Sequence, residues 1–240
     1  MSLTFDTTFT FDSIGVVHSP YREKFAIPRQ PGLVTADQGY IELSGPCNRE
    51  EILRGLEAFS HAWILFVFHE AMREQWKPMA RPPRLGGNQK VGVFASRSPF
   101  RPNPIGQSVV KLEGIRAHSG QWRVHFSGGD LLHGTPVLDI KPYLPYADAI
   151  ADANGAYAPD KPGADRPVRF SEAASASLAR LETEYPALQL LIEQVIAQQP
   201  QPAYHRQDEA KIYGMMLYDL NIRWQQSLQD ACVITVEKQR

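Results

Sequence analysis

The chain has 240 residues, 43% of them hydrophobic, with 25 basic against 26 acidic side chains and a formal net charge of −1. That is ample for a substantial core, and length alone permits one or two domains. The charge balance excludes a globally basic nucleic-acid binder, so any RNA contact has to come from a local patch or from a groove between two copies.

The opening residues (MSLTFDTTFTFDS) lack a basic start followed by an apolar run, so no signal peptide is expected. Ile14 to Val17 and Tyr40 to Leu43, entered through Gly39, read as short strands. Between Asn48 and Leu56 a helix is expected. Asn48 and Glu51 resemble a capping box, and Ile52, Leu53 and Leu56 share a face. Ala62 to Phe68 (AWILFVF) has no polar face and reads as a central strand buried on both sides. It is the longest apolar stretch and far too short to span a bilayer, so a soluble, cytoplasmic protein is expected. Val91 to Ala95 and Val109 to Leu112 read as strands, and Gln121 to Phe126 alternates cleanly between apolar and polar positions. Pro136 to Ile140, bounded by prolines, suits an edge or a barrel rim. Short strands separated by Gly and Pro turns suggest a barrel or a sandwich over residues 1–150.

Residues 151–169 are rich in Ala, Asp, Gly and Pro and read as a linker. Residues 170–240 read as a small α+β domain. Ser171 can cap a helix carrying Leu178 and Leu181. Pro186 can start a second helix with Leu188, Leu191, Ile192, Val195 and Ile196 at helical spacing. Alternate apolar positions from Ile212 to Trp224 fit one strand, with Cys232 to Val236 as its partner. Cys47 and Cys232 lie far apart without metal-ligand spacing and are read as free thiols.

Four segments are too unusual for ordinary connectors. PRQPG (Pro28 to Gly32) is stiffened by two prolines, and RPPRLGGN (Arg81 to Asn88) couples two arginines to a double glycine. The strongest is FASRSPFRPNPIG (Phe94 to Gly106), a proline-stiffened loop that can hold Arg97 and Arg101 in a fixed array. Rigid guanidinium forks suit carboxylate or phosphate recognition. In the fourth, Asp130 stands between Gly128-Gly129 and an apolar pair, where it can cap backbone amides or accept from a ligand amine or hydroxyl. His61 and His69 bracket the central strand without an evident third ligand, so no metal is expected. Neither a Walker loop nor a G-x-G-x-x-G opening a helix is present.

Taken together and in order, IGVVHSPY, PRQPG, GLEAFSHAWILFVFH, RPPRLGGN, GVFASRSPFRPNPIG and GTPVLDIKPYLPY resemble the TrmO (TsaA-like) family across most of residues 12–150. The tail is similar to the longer bacterial-type members. The resemblance implies a mainly β protein with a small closed β-barrel core, active as a homodimer that binds S-adenosylmethionine near the subunit interface. It implies methyl transfer to N6 of threonylcarbamoyladenosine, 3′ of the anticodon in threonine-accepting tRNA. By motif match, the implied cofactor contacts are Gln30, Pro31, Gly32, Phe68, His69, Arg97, Gln107, Asp130 and Leu131. The chain departs from the family pattern at His133, where related sequences usually carry Asp.

For the chemistry, orienting N6 against the methyl group should supply most of the rate. A base that removes the N6 proton would be Asp139 or Glu70. Arg81, Arg84, Arg97 and Arg101 from two subunits would line a groove for the anticodon loop, and Tyr143, Tyr204 or Trp224 would stack on unpaired bases. Removing residues 165–240 is then expected to weaken tRNA binding more than donor binding. The competing reading is a non-catalytic barrel that binds a nucleotide or RNA.

Overall fold

The computed structural model describes residues 8–72, 76–164, 166–200 and 211–239. In chain order the strands are β1 (Gly15–His18), β2 (Gly39–Leu43), β3 (His61–Val67), β4 (Met79–Ala80), β5 (Val91–Gly92), β6 (Ile105–His118), β7 (Gln121–Ser127) and β8 (Pro136–Pro142). A single helical turn, α1 (Pro145–Asp148), follows. Beyond it come β9 (Val168–Phe170), α2 (Glu172–Leu181), α3 (Leu188–Ala197), β10 (Ile212–Leu217), β11 (Leu220–Gln226) and β12 (Ala231–Lys238).

Six strands pair in the order β1-β2-β7-β6-β3-β8, and β8 pairs back onto β1, so the sheet closes as a barrel. Its ladders are all antiparallel. Strand alternation sends Val17, Ile41, Ile64, Val110, Val124 and Phe126 inward, where they form one apolar core with Leu53 and Leu131. Register shifts at Leu65/Phe66 and Leu112/Gly114 add the local bending that closure of so small a ring requires. The pair β4–β5 stands apart as a short ribbon.

Several expectations need correction. β3 is not buried on both faces: Ala62, Ile64 and Phe66 point into the core, while Trp63, Leu65 and Val67 are half-buried. The expected helix after Asn48 is absent, replaced by 3-10 turns at Glu51–Leu53 and Leu56–Ala58. The Asn48 side chain does not cap it. Its Oδ1 accepts from Trp122 N at 2.8 Å and its Nδ2 donates to Gly120 O at 2.9 Å, clamping the β6–β7 turn instead. Val93–Ala95 is a 3-10 turn and not the end of a strand.

The C-terminal part is a four-stranded sheet, ordered β10-β11-β12-β9, with α2 and α3 packed on it around a second apolar core. Ser171 caps α2 by accepting from Ala174 N at 3.1 Å. β9 pairs in parallel with β12, so the supposed linker already contributes Val168 and Arg169 to the sheet. The run from Ile212 to Trp224 is a hairpin and not one strand. A two-residue turn at Tyr218-Asp219 shifts the phase, so Tyr213, Met215 and Leu217 are buried before it and Leu220, Ile222 and Trp224 after it.

The connection between β1 and β2 belongs to both parts. Its Tyr21, Ala26 and Val34 complete the second core, and Tyr21 bridges to Leu217. Tyr218 N donates to Pro20 O at 2.7 Å, and Gln194 Oε1 accepts from Thr35 N and Ala36 N at 2.8 and 2.9 Å.

Candidate functional site

Where this connection meets one end of the barrel, the surface opens into a cleft of about 730 Å³. Three walls form it. One is the Ile27 to Gln30 stretch. The second is the end of β3 with Phe68, His69 and Glu70. The third is the arginine loop with the first residues of β6, and Asp130, Leu132 and Thr135 lie between them. The volume and the mixture of aromatic and charged lining suit a nucleoside-sized ligand.

Local sequence explains each wall. Gly106 on β6 has no room for a side chain, because a Cβ there would lie 2.2 Å from Phe66 Cζ. The Phe66 ring therefore lies across β6 and meets Phe68 edge-on, with centroids 5.0 Å apart. The arginine loop folds on its own serines. Ser98 N donates to Ser96 Oγ and Phe100 N to Ser98 Oγ, each at 3.3 Å, while Arg101 Nη1 reaches back to Ser96 O at 3.3 Å. Tyr157 OH donates to Ala95 O at 2.9 Å and ties the base of the loop down. Arg97 emerges from this frame and donates from Nη1 to Gln30 Oε1. Opposite, Ser108 Oγ donates to Asp130 Oδ1 at 2.6 Å.

Burial pushes the Asp130 carboxyl up to about 6, against the downward pull of the Ser108 hydroxyl and the Arg97 charge. At neutral pH this leaves a carboxylate, poorly hydrated and facing a guanidinium. Lys24 and Glu70 close the outer edge through Nζ to Oε2 at 3.3 Å, with a second bond from Lys24 Nζ to Glu70 O at 3.2 Å.

Of the residues implied as cofactor contacts, Gln30, Phe68, His69, Arg97, Gln107 and Asp130 line this one cleft. Pro31, Gly32 and Leu131 do not. Gly32 spends its N–H on Gly128 O at 2.9 Å, and Leu131 is 1% exposed inside the barrel core. Glu70 lines the cleft; Asp139 lies outside it. Asp139 Oδ1 accepts from Ile140 N, and Oδ2 pairs with Lys141 Nζ at 2.5 Å, so its partners lie outside this site as well.

Among the RNA candidates, Arg101 is on the cleft wall. Arg81 follows β4 on the exposed surface. Arg84 donates to Asp160 O at 2.6 Å. Tyr143 packs on Trp63 with centroids 5.7 Å apart. Trp224 is a correction: at 0% exposure it sits between Phe25 and Tyr213 in the second core and offers no face to a base. Tyr204 lies outside the described residues.

His133 does not line the cleft. Burial, with Arg22 and His18 nearby, pushes its imidazole down to about 4, so it is neutral at pH 7 and supplies no charge at a position that is usually acidic in the family.

Two contributors escaped the sequence reading. Ser108 was detectable in principle as a lone hydroxyl on an inward row with Gly106 and Val110. Asp37, fully buried behind the cleft, carries no local signal that separates it from a turn residue.

The family model for the tRNA-methyltransferase O N-terminal domain matches residues 16–149, and that for the TrmO C-terminal domain matches residues 163–239. An Escherichia coli protein named tRNA (adenine(37)-N6)-methyltransferase is 51% identical over 219 residues, covering 91% of this chain and 93% of its own. A Pseudomonas aeruginosa relative, provisionally named as the S-adenosylmethionine-dependent methyltransferase RcsF, is 49% identical over 219 residues, covering 90% of this chain and 92% of its own. The crystal structure of TrmO from Pseudomonas aeruginosa superposes with a TM-score of 0.80 at 42% identity, covering 96% of this chain and 99% of that one. With barrel and tail each matched in order and the likeness running nearly end to end, this chain belongs to the TrmO family.

Proposed function

We propose that the protein transfers a methyl group from S-adenosylmethionine to N6 of adenosine 37 in tRNA. The observation that carries the reading is the convergence of Gln30, Phe68, His69, Arg97, Gln107 and Asp130 on one cleft, in a chain whose relative is named for that reaction. The finer substrate is threonylcarbamoyladenosine in the anticodon loop of threonine-accepting tRNA, and the working state is a cytoplasmic homodimer.

The residues fit the donor. Asp130, held by Ser108, can accept from a ribose hydroxyl or an ammonium group. Arg97, steadied by Gln30, presents a fork for the donor's carboxylate. Phe66 and Phe68 give the apolar side. When bound, S-adenosylmethionine supplies a sulfonium methyl group, the electrophile of an in-line displacement. The cleft's task is to orient that ligand and exclude water while the target amine is presented. Glu70, at the cleft edge and ion-paired with Lys24, is the base we assign to the N6 proton. Arg81, Arg84 and Arg101 serve the phosphates of the loop, so binding should weaken with salt. We assign residues 1–150 as the methyl-transfer unit and 170–240 as a second unit, joined through 151–169, each centred on one of the two apolar cores.

The test is transfer of labelled methyl from S-adenosylmethionine into tRNA, followed by mass spectrometry of the nucleosides. Label in N6-methyl-threonylcarbamoyladenosine is the expected result. Donor binding without label in any tRNA would overturn the enzymatic reading, and label at adenosine 37 lacking the threonylcarbamoyl group would overturn the finer substrate.

A further inference from the structure

We propose that Asp37 is a positioning residue for the donor cleft: its carboxylate pins the Gly128-Gly129 turn and so fixes both Asp130 and the Gln30 turn. The inference rests on the reading of the cleft as the donor site.

Asp37 is 0% exposed and does not line the cleft. Its two oxygens are used separately. Oδ1 accepts from Gly128 N at 2.6 Å and Oδ2 from Gly129 N at 3.0 Å. Burying a carboxylate is costly, and these bonds to consecutive backbone amides offset only part of that cost. What the arrangement supplies is order. Two glycines in succession are the least constrained dipeptide a chain can carry, and Gly128 adopts φ +74°. Without the carboxylate, the turn preceding Asp130 would sample many conformations.

The clamp reaches both polar walls. Asp130 follows Gly129 directly and presents its carboxylate with Oδ1 held by Ser108. Gly128 O accepts from Gly32 N at 2.9 Å, which fastens the turn carrying Gln30 to the same peptide. Gln30 in turn accepts from Arg97. One buried carboxylate thus sets the positions of an acid, an amide and, through the amide, a guanidinium. The Gly128-Gly129 pair is also shaped for it: a Cβ on Gly129 would lie 2.8 Å from Phe126 and 3.6 Å from Asp37 Oδ2. Tyr21, Tyr218 and Asp130 face Asp37 electrostatically, and none of them carries positive charge. The backbone amides are therefore the partners that hold its orientation.

The test uses the full-length chain carrying Asp37→Asn, which preserves volume and one acceptor, and Asp37→Ala. Three quantities are read: the Kd for S-adenosylmethionine and S-adenosylhomocysteine by calorimetry, kcat at saturating donor, and amide hydrogen exchange at Gly128, Gly129 and Asp130. The expected result is a donor Kd and KM weakened about tenfold in Asp37→Asn and more in Asp37→Ala. With saturating donor, kcat should stay within about threefold of wild type. Exchange should accelerate at the three amides while the barrel strands keep their protection. A variant that melts earlier but binds donor as tightly as wild type would overturn the positioning role and leave Asp37 purely structural. Should Asp37→Ala not fold, Asp37→Asn decides alone. Wild-type protein that binds neither nucleoside would overturn the donor-site reading together with this inference, whereas wild-type binding with an unaffected variant overturns the inference only.

Discussion

Replacing Arg97 with Lys keeps the charge but loses the planar fork that Gln30 steadies, so the two kinds of variant separate charge from geometry. Arg97→Ala should abolish methylation with the circular-dichroism spectrum unchanged, and Arg97→Lys should raise the donor KM by at least about tenfold. Near-normal turnover of Arg97→Ala at saturating donor would refute the assignment. The buried acids and imidazoles give opposite pH signatures. Burial raises Asp37 from 3.8 to about 7 and Asp130 from 3.8 to about 6. Between those limits the folded chain holds protons that the unfolded chain has released, so this contribution is complete below pH 3.8 and is lost as pH rises through 7. His133 is lowered from 6.5 to about 4, so its contribution is complete above pH 6.5 and is lost as pH falls through 4. Relative to wild type, Asp37→Asn should therefore gain Tm as pH rises from about 5 to about 8, and His133→Gln should gain Tm as pH falls from about 6 to about 4. Parallel Tm curves in a pH-resolved thermal melt would contradict both.

At the level of elements, β6 carries the site and the core on one inward row of Gly106, Ser108 and Val110. Gly106→Ala should displace Phe66 from both, costing about 1–3 kcal/mol of stability and weakening donor binding in the same protein. Unchanged denaturant midpoint and donor affinity would show that the ring can move freely. β7 was legible because period-two alternation is written directly in Gln121 to Phe126. The arginine loop and PRQPG were legible because proline and arginine together make rigid donor arrays. What failed did so for tertiary reasons. Asn48 chose Trp122 N over a helix terminus. Trp224 looked like a stacking platform because alternation alone does not tell which face of a hairpin is covered. The phase shift at Tyr218-Asp219 was hidden because apolar residues occur on both sides of the turn in either register. Asp37 was unreadable because its partners lie some ninety residues away and are backbone atoms.

For the molecule as a whole, the C-terminal part supports the segment that forms one wall of the cleft. Deleting residues 165–240 would strip the cover from Tyr21, Ala26 and Val34 and remove Gln194 from the Thr35 and Ala36 amides. The Ile27 to Gln30 wall of the cleft hangs on that same stretch. To the expectation from sequence, that truncation weakens tRNA binding more than donor binding, the structure adds that truncation should also weaken donor binding at least about tenfold and leave the shortened chain prone to aggregate. A monodisperse truncated protein with wild-type donor affinity would show that the wall stands alone. Because the strand-to-strand crossing at 19–38 supplies side chains to one core while its two ends are anchored in the other, neither can melt without loosening its neighbour. Heating should accordingly give a single calorimetric peak, with van't Hoff and calorimetric enthalpies in agreement, from a chain that by composition alone looks like two beads on a string.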